Sequence, residues 1–183
     1  MRIITVFIVL FAFSVFANPP VADLRVRRIT SKNDRITNWS TSYGSSDKDK
    51  IQRIMLEVKV RNLSRTNHEY RIVTSFLVVP AWGKKNAKEC QIFSTAKEEF
   101  HLEPMEEICT IIDSQPMRSN RAVYAALGSE TRSGIESAGW VVWLFSGEEL
   151  LKVAASMKSL EIVATQNGTS AWPNVESTQN DFP

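Results

Sequence analysis

Between Ile54 and Arg61 the chain alternates. Ile54, Leu56, Val58 and Val60 are apolar, while Arg53, Glu57, Lys59 and Arg61 are charged, with Met55 the exception. A period of two places successive side chains on opposite faces of a strand, so this stretch has one face in a core and one in water. A second strand pattern follows at Tyr70–Val79, and Asn62–His68 between them is rich in turn formers. Pairing Val60 with Tyr70 sets Val58 against Ile72, Leu56 against Thr74 and Ile54 against Phe76, apolar facing apolar except at Thr74. The sequence therefore predicts a central hairpin. Val73, Leu77 and Val79 make the second strand apolar on its other face too, which predicts a mid-sheet strand covered on both sides. Pro80 ends it.

Residues 1–17 read differently. Met1-Arg2 precedes an apolar run from Ile3 to Phe16 broken only by Thr5 and Ser14, and Val15-Phe16-Ala17 supplies small residues at the −3 and −1 positions. This describes a secretory signal peptide cleaved after Ala17, since the run falls short of the roughly 20 residues that cross a bilayer. The expectation is an exported protein, periplasmic or extracellular. In an oxidising compartment Cys90 and Cys109, the only two cysteines, are expected to form one disulfide. It would close a loop of about 20 residues, contributing on the order of 3 kcal/mol by chain entropy.

The remaining strand signals are short. Ala22–Thr30 alternates around Leu24 and Val26; Ser31–Lys50 is polar and reads as a surface loop with an edge strand near Ile36–Trp39. Glu89–Phe93 and Glu107–Asp113 each hold one cysteine and predict a stapled hairpin across the acidic stretch Lys97–Glu106. Arg121–Leu127 and Trp140–Phe145 form another expected pair, joined by a Gly- and Ser-rich loop over Gly128–Gly139. Leu150–Ala155 reads as a strand returning along Trp140–Phe145, then a helix over Met157–Ala164 capped by Ser156, with one amphipathic helix over Glu148–Ala164 as the alternative. The sum is all-β: a two-sheet antiparallel β-sandwich, broadly immunoglobulin-like in architecture, with a short C-terminal helix. The domain is placed at 18–165 and a disordered tail at 166–183. No tryptophan lies between the cysteines, unlike true immunoglobulin domains.

Chemistry is sparse. A net charge of +2 with scattered basic residues gives no argument for nucleic acid. There is no phosphate-binding glycine loop, dinucleotide fingerprint or nucleophile elbow. Two histidines, His68 and His101, are too few for a transition-metal site once the cysteines are bridged, so neither metal nor cofactor is expected. Asp47 and Asp49 resemble the start of a calcium loop whose remaining ligands are missing. The pairs Glu98-Glu99 and Glu106-Glu107 would point to opposite faces of an extended segment, which suits edge protection better than glycoside cleavage. Asn38, Asn62 and Asn167 each begin an Asn-x-Ser/Thr triplet in a predicted loop.

Aromatic residues carry the functional expectation. In Trp140–Phe145 neither face is polar, so the strand is either central and covered, or Trp140, Trp143 and Phe145 mark a surface for another protein. Trp39, Tyr43 and Trp82 fall in predicted loops, where a flat ring could stack on a sugar. The sequence thus predicts a non-catalytic binding protein, with a carbohydrate-binding module as the alternative and a secreted hydrolase as the second.

Overall fold

The computed structural model describes residues 20–29, 35–42, 45–82, 87–124 and 128–175. The expected signal peptide, Tyr43 and residues 176–183 of the expected tail lie outside them. Among the described residues there are ten strands, arranged in two antiparallel sheets, and one α-helix. The strands are β1 (Ala22–Ile29), β2 (Arg35–Ser42), β3 (Ser45–Gln52), β4 (Met55–Asn62), β5 (His68–Pro80), β6 (Gln91–Leu102), β7 (Glu107–Asp113), β8 (Met117–Tyr124), β9 (Ser129–Ser146) and β10 (Glu149–Ala155); the helix is α1 (Lys158–Asn167). The small sheet runs β1-β4-β7. The large sheet runs β2-β3-β8-β9-β5-β6, with β10 also on β9. The all-β sandwich with a short C-terminal helix is the architecture observed.

The expected central hairpin is not. β4 and β5 lie in different sheets: β4 pairs with β1 and β7, β5 with β6 and β9. Their even positions still meet, but across the sandwich interior. Leu56, Val58 and Val60 of one sheet pack with Tyr70, Ile72, Phe76, Val142 and Leu144 of the other. Hydrophobic pattern fixes which face is buried, and that face can be shared across a ladder or across a core.

Asn62 makes the corner. Fully buried at the end of β4, it donates through Nδ2 toward the carbonyls of Thr66 (2.9 Å), Leu102 (3.1 Å) and Glu103 (3.1 Å). Its Oδ1 accepts from Ser64 N–H and from the Tyr70 hydroxyl, each at 2.9 Å. A side-chain amide here satisfies the polar backbone that a sheet-to-sheet crossing would otherwise leave buried and unpaired. Its burial also removes Asn62 from the expected glycan acceptors in the folded protein.

A second core lies on the far face of the large sheet. Val73, Leu77, Val79, Val141 and Trp143 are covered there by Leu160 and Ala164 of α1 and by Trp172. Gly139 (φ 149°) lets the helix approach, because a side chain there would collide with Ser156 and Leu160. The helix begins at Lys158 with no side-chain cap; Ser156, the expected cap, instead accepts the Trp140 N–H through Oγ at 3.1 Å. The stretch assigned to a disordered tail is ordered to residue 175. Trp172 is buried, donates its Nε1–H to the Ala87 carbonyl (2.6 Å) and tilts against Trp143 at 6.4 Å. Beyond it, Ile92 N–H meets Pro173 O (2.7 Å) and Val175 N–H meets Ile92 O (2.9 Å), a parallel bridge onto the edge of β6.

Other expected loops are strand. The polar stretch from Arg35 to Gln52 is the β2–β3 hairpin, and the Gly- and Ser-rich segment before Trp140 is the first half of β9, pairing with β8 and the end of β5. Ladder hydrogen bonds form whatever the side chains are, so polar strands escape a reading based on hydrophobic period.

Candidate functional site

Of the two possibilities for Trp140–Phe145, the structure shows the covered strand. Trp143 is fully buried with its Nε1–H toward Ala164 O (3.3 Å), Trp140 is buried in the sandwich interior, and Phe145 is partly buried beneath the Arg71 guanidinium, 5.0 Å from its ring. In this chain these residues are core. The proposed protein-docking surface is corrected accordingly: α1 and Trp172 supply a second cover that follows the strand in sequence.

The expected disulfide is also overturned. Cys90 is buried in the far-face core and Cys109 is exposed on the outward face of β7. The segments holding them do not pair: β6 joins β5, and β7 joins β4. Both sheets stand between the two sulfurs, and packed sheets are about 10 Å apart. Burial pushes the Cys90 thiol up to about 11, with the Glu89 carboxylate adding to it.

Of the aromatic candidates for sugar binding, Trp39 and Trp82 lie within the described residues. Trp82 follows β5 and is 61% exposed. Trp39 stands on β2 opposite Lys48 of β3. Lys48 is in turn opposite Arg121 of β8, and Arg121 opposite Arg132 of β9, so one row crosses four strands. This wing, β2-β3-β8 and the start of β9, extends the large sheet sideways. Apart from Met117, its described side chains lie outside both cores. Ladder hydrogen bonds hold it.

One face of the wing forms a cleft of about 190 Å³ lined by Lys48, Lys50, Ala81, Arg121, Arg132 and Glu136, with Ser119 and Asn120 at its base. Ala81, which lines the cleft, is anchored by its N–H to Gly134 O (3.0 Å), and Trp82 is the next residue along the chain. Gly134 (φ 85°) is required because the Arg118 carbonyl occupies the space of a side chain. Glu130 holds two cations: Arg121 donates to it through Nε and Nη2, each at 2.9 Å, and Arg132 donates through Nε. Those hydrogen bonds hold the Glu130 carboxyl at about 2, below its ordinary 4.5. Lys50 pairs with Glu136 at 3.5 Å. Asp47 and Asp49, the calcium-loop candidates, lie on a strand and both accept from Asn120 Nδ2 at 2.7 Å.

A larger groove, about 440 Å³, lies at the other end of β5 and is lined by Glu69, Arg71, Glu99, His101, Gly147 and Glu148 around Tyr70 and Phe100. It brings a histidine near carboxylates, as a hydrolase would need. All four, Glu69, Glu99, His101 and Glu148, are exposed. Among the described residues no group of three His, Cys, Asp or Glu side chains is placed to hold a metal ion.

No protein-family model matches the chain, and no curated protein matches it. Among solved structures it is similar to a β-glucosidase from Kluyveromyces marxianus in complex with glucose, at 14% identity over 75% of this chain and 14% of that one, with a TM-score of 0.33. A glycoside hydrolase family 3 (GH3) β-glucosidase from Bifidobacterium adolescentis gives 9% identity, 77% and 17% coverage and a TM-score of 0.37. A β-D-glucoside glucohydrolase from Trichoderma reesei gives 8%, 75% and 18%, and 0.37. The chain spans less than a fifth of each. Likeness this slight assigns neither family nor activity.

Sequence reasoning named Trp82 and Trp39 but missed Lys50, Arg121 and Arg132. Lys50 and Arg132 fell in stretches read as loop, and Arg121 in a strand expected to pair with Trp140–Phe145, whereas it pairs with Ser129–Gly134.

Proposed function

We propose that the protein is an exported, non-catalytic binding domain whose ligand face is the polar wing beside Trp82, and that its ligand is a surface glycan. The observation that carries this reading is Trp82, a large aromatic 61% exposed and next in the chain to Ala81, which lines a polar cleft. A ring in that setting can stack on the apolar face of a pyranose while neighbouring polar side chains bond its hydroxyls. A protein interface would call for an apolar patch. The most apolar strand is instead buried on both faces, and the described wing is polar. The acidic groove is the weaker candidate for catalysis, because general acid–base work needs a carboxyl raised by burial, and its carboxylates are exposed.

The test is intrinsic fluorescence titrated with neutral and acidic oligosaccharides on protein beginning at Asn18. Trp143 and Trp172 are buried, so a change abolished by Trp82→Phe reports this face. Saturable quenching lost in that variant supports the reading; no response to any saccharide rejects it. Terminal sequencing of the exported protein tests the leader, with Asn18 the expected first residue.

A further inference from the structure

Resting on that reading, we propose that the Arg121–Glu130–Arg132 cluster is an acidic-saccharide site, in which Glu130 occupies the place of a ligand carboxylate or sulfate. Arg121 and Arg132 stand directly opposite each other on adjacent strands. Like charges in that position repel, and here a third side chain bridges them. Arg121 presents both arms of its fork to one carboxylate, the geometry by which guanidinium recognises planar oxyanions, and Arg132 donates to the same group.

The cluster is accessible: the side chains of Arg121, Arg132 and Glu130 are 49%, 47% and 32% exposed. An exposed ion triplet contributes little to stability and its members exchange partners readily. An incoming anion can therefore displace Glu130 without opening the fold. Lys48 and Lys50 lie in the same cleft, whose four cations outnumber the carboxylates of Glu130 and Glu136. Trp82 beside Ala81 supplies the stacking surface. A guanidinium pair for the acid group and a ring for the sugar face fit a uronic-acid or sulfated saccharide better than a neutral one.

The experiment measures binding of an oligogalacturonate, a heparin hexasaccharide and cellohexaose by calorimetry at low and high salt, with Trp82 fluorescence in parallel. The acidic saccharides are expected to bind at least tenfold more tightly than cellohexaose and to weaken with salt. Arg121→Gln should lose about tenfold, the loss of one charge-assisted fork. Glu130→Gln should bind acidic saccharides more tightly than the wild type, because the internal competitor has lost its charge. Thermal melting confirms that each variant folds. Weakening by Glu130→Gln overturns the displacement idea, and equal affinity for cellohexaose overturns the acidic preference while leaving the glycan face intact. A single-stranded DNA oligomer of similar charge bound as tightly as the hexasaccharide overturns saccharide recognition in favour of a general polyanion surface. No quenching of Trp82 by any of the three saccharides removes the glycan face and this inference with it.

Discussion

Replacing Asn62 by alanine removes the amide that closes the corner between the two sheets. The side chain has two N–H groups, shared among the carbonyls of Thr66, Leu102 and Glu103, and an oxygen that accepts from Ser64 N–H and Tyr70 O–H. About four hydrogen bonds are lost in a fully buried site, each contributing roughly 1 kcal/mol net, and more where the orphaned partner cannot reach water. The expected loss is about 4 kcal/mol, a large share of the 5–15 kcal/mol typical of a whole domain. With a urea slope of about 2 kcal/mol/M, the unfolding midpoint should fall by about 2 M. Tyr70→Phe removes one of these bonds and should cost about 1 kcal/mol alone, and much less in the Asn62→Ala background, since the two side chains share that bond. Asn62→Asp keeps the shape but sets a carboxylate against carbonyl oxygens. Its folded-state pKa is then raised, so its penalty is absent below the unfolded value of about 4 and grows as pH rises above it. An Asn62→Ala loss below about 1 kcal/mol, or additive losses in the double variant, would show that the corner is held by something else.

Three further outcomes follow from the packing. Cys109 should react with a thiol reagent in the native protein and Cys90 only on unfolding, and reductant should leave the melting temperature unchanged; a mass two units lower before reduction would contradict this. Trp172→Ala should cost about 3–5 kcal/mol by removing the cover over Trp143 and should make Trp143 accessible to iodide; an unchanged midpoint would mean that the 168–175 segment is not docked. The Glu130 carboxyl, held at about 2 by Arg121 and Arg132, should titrate near that pH by NMR. Because its folded value is depressed, any stabilisation it gives is present above its unfolded value and fades as pH falls through about 2. In Arg121→Gln the titration should move back toward the ordinary range.

Where the hydrophobic pattern is strong, the sequence alone determined which face is buried and that the element is a strand. The alternation of Ile54, Leu56, Val58 and Val60 and the two apolar faces of β5 each reported burial correctly, because a strand's side chains alternate whatever it pairs with. Glu107–Asp113 and the return of β10 along β9 were legible for the same reason. The two apolar faces of Trp140–Phe145 fitted either a covered strand or a surface, and the tertiary structure decided between them. What packs against a buried face was not legible. Hydrophobic pattern is the same whether the partner is the next strand, a facing sheet 10 Å away or a helix that follows, so β4 and β5 read as a hairpin although a sheet-to-sheet corner separates them. The cysteine bridge failed with the expected pairing of Glu89–Phe93 and Glu107–Asp113, which belong to different sheets. Most of the wing had no apolar period to read, since its strands are held by backbone hydrogen bonds; only its Arg121–Leu127 part read as strand, and the partner expected for it was the wrong stretch of β9. Only the tertiary register brings Lys48 into one row with Arg121 and Arg132, because β3, far earlier in sequence, becomes the neighbour of the β8–β9 pair when the ladder forms.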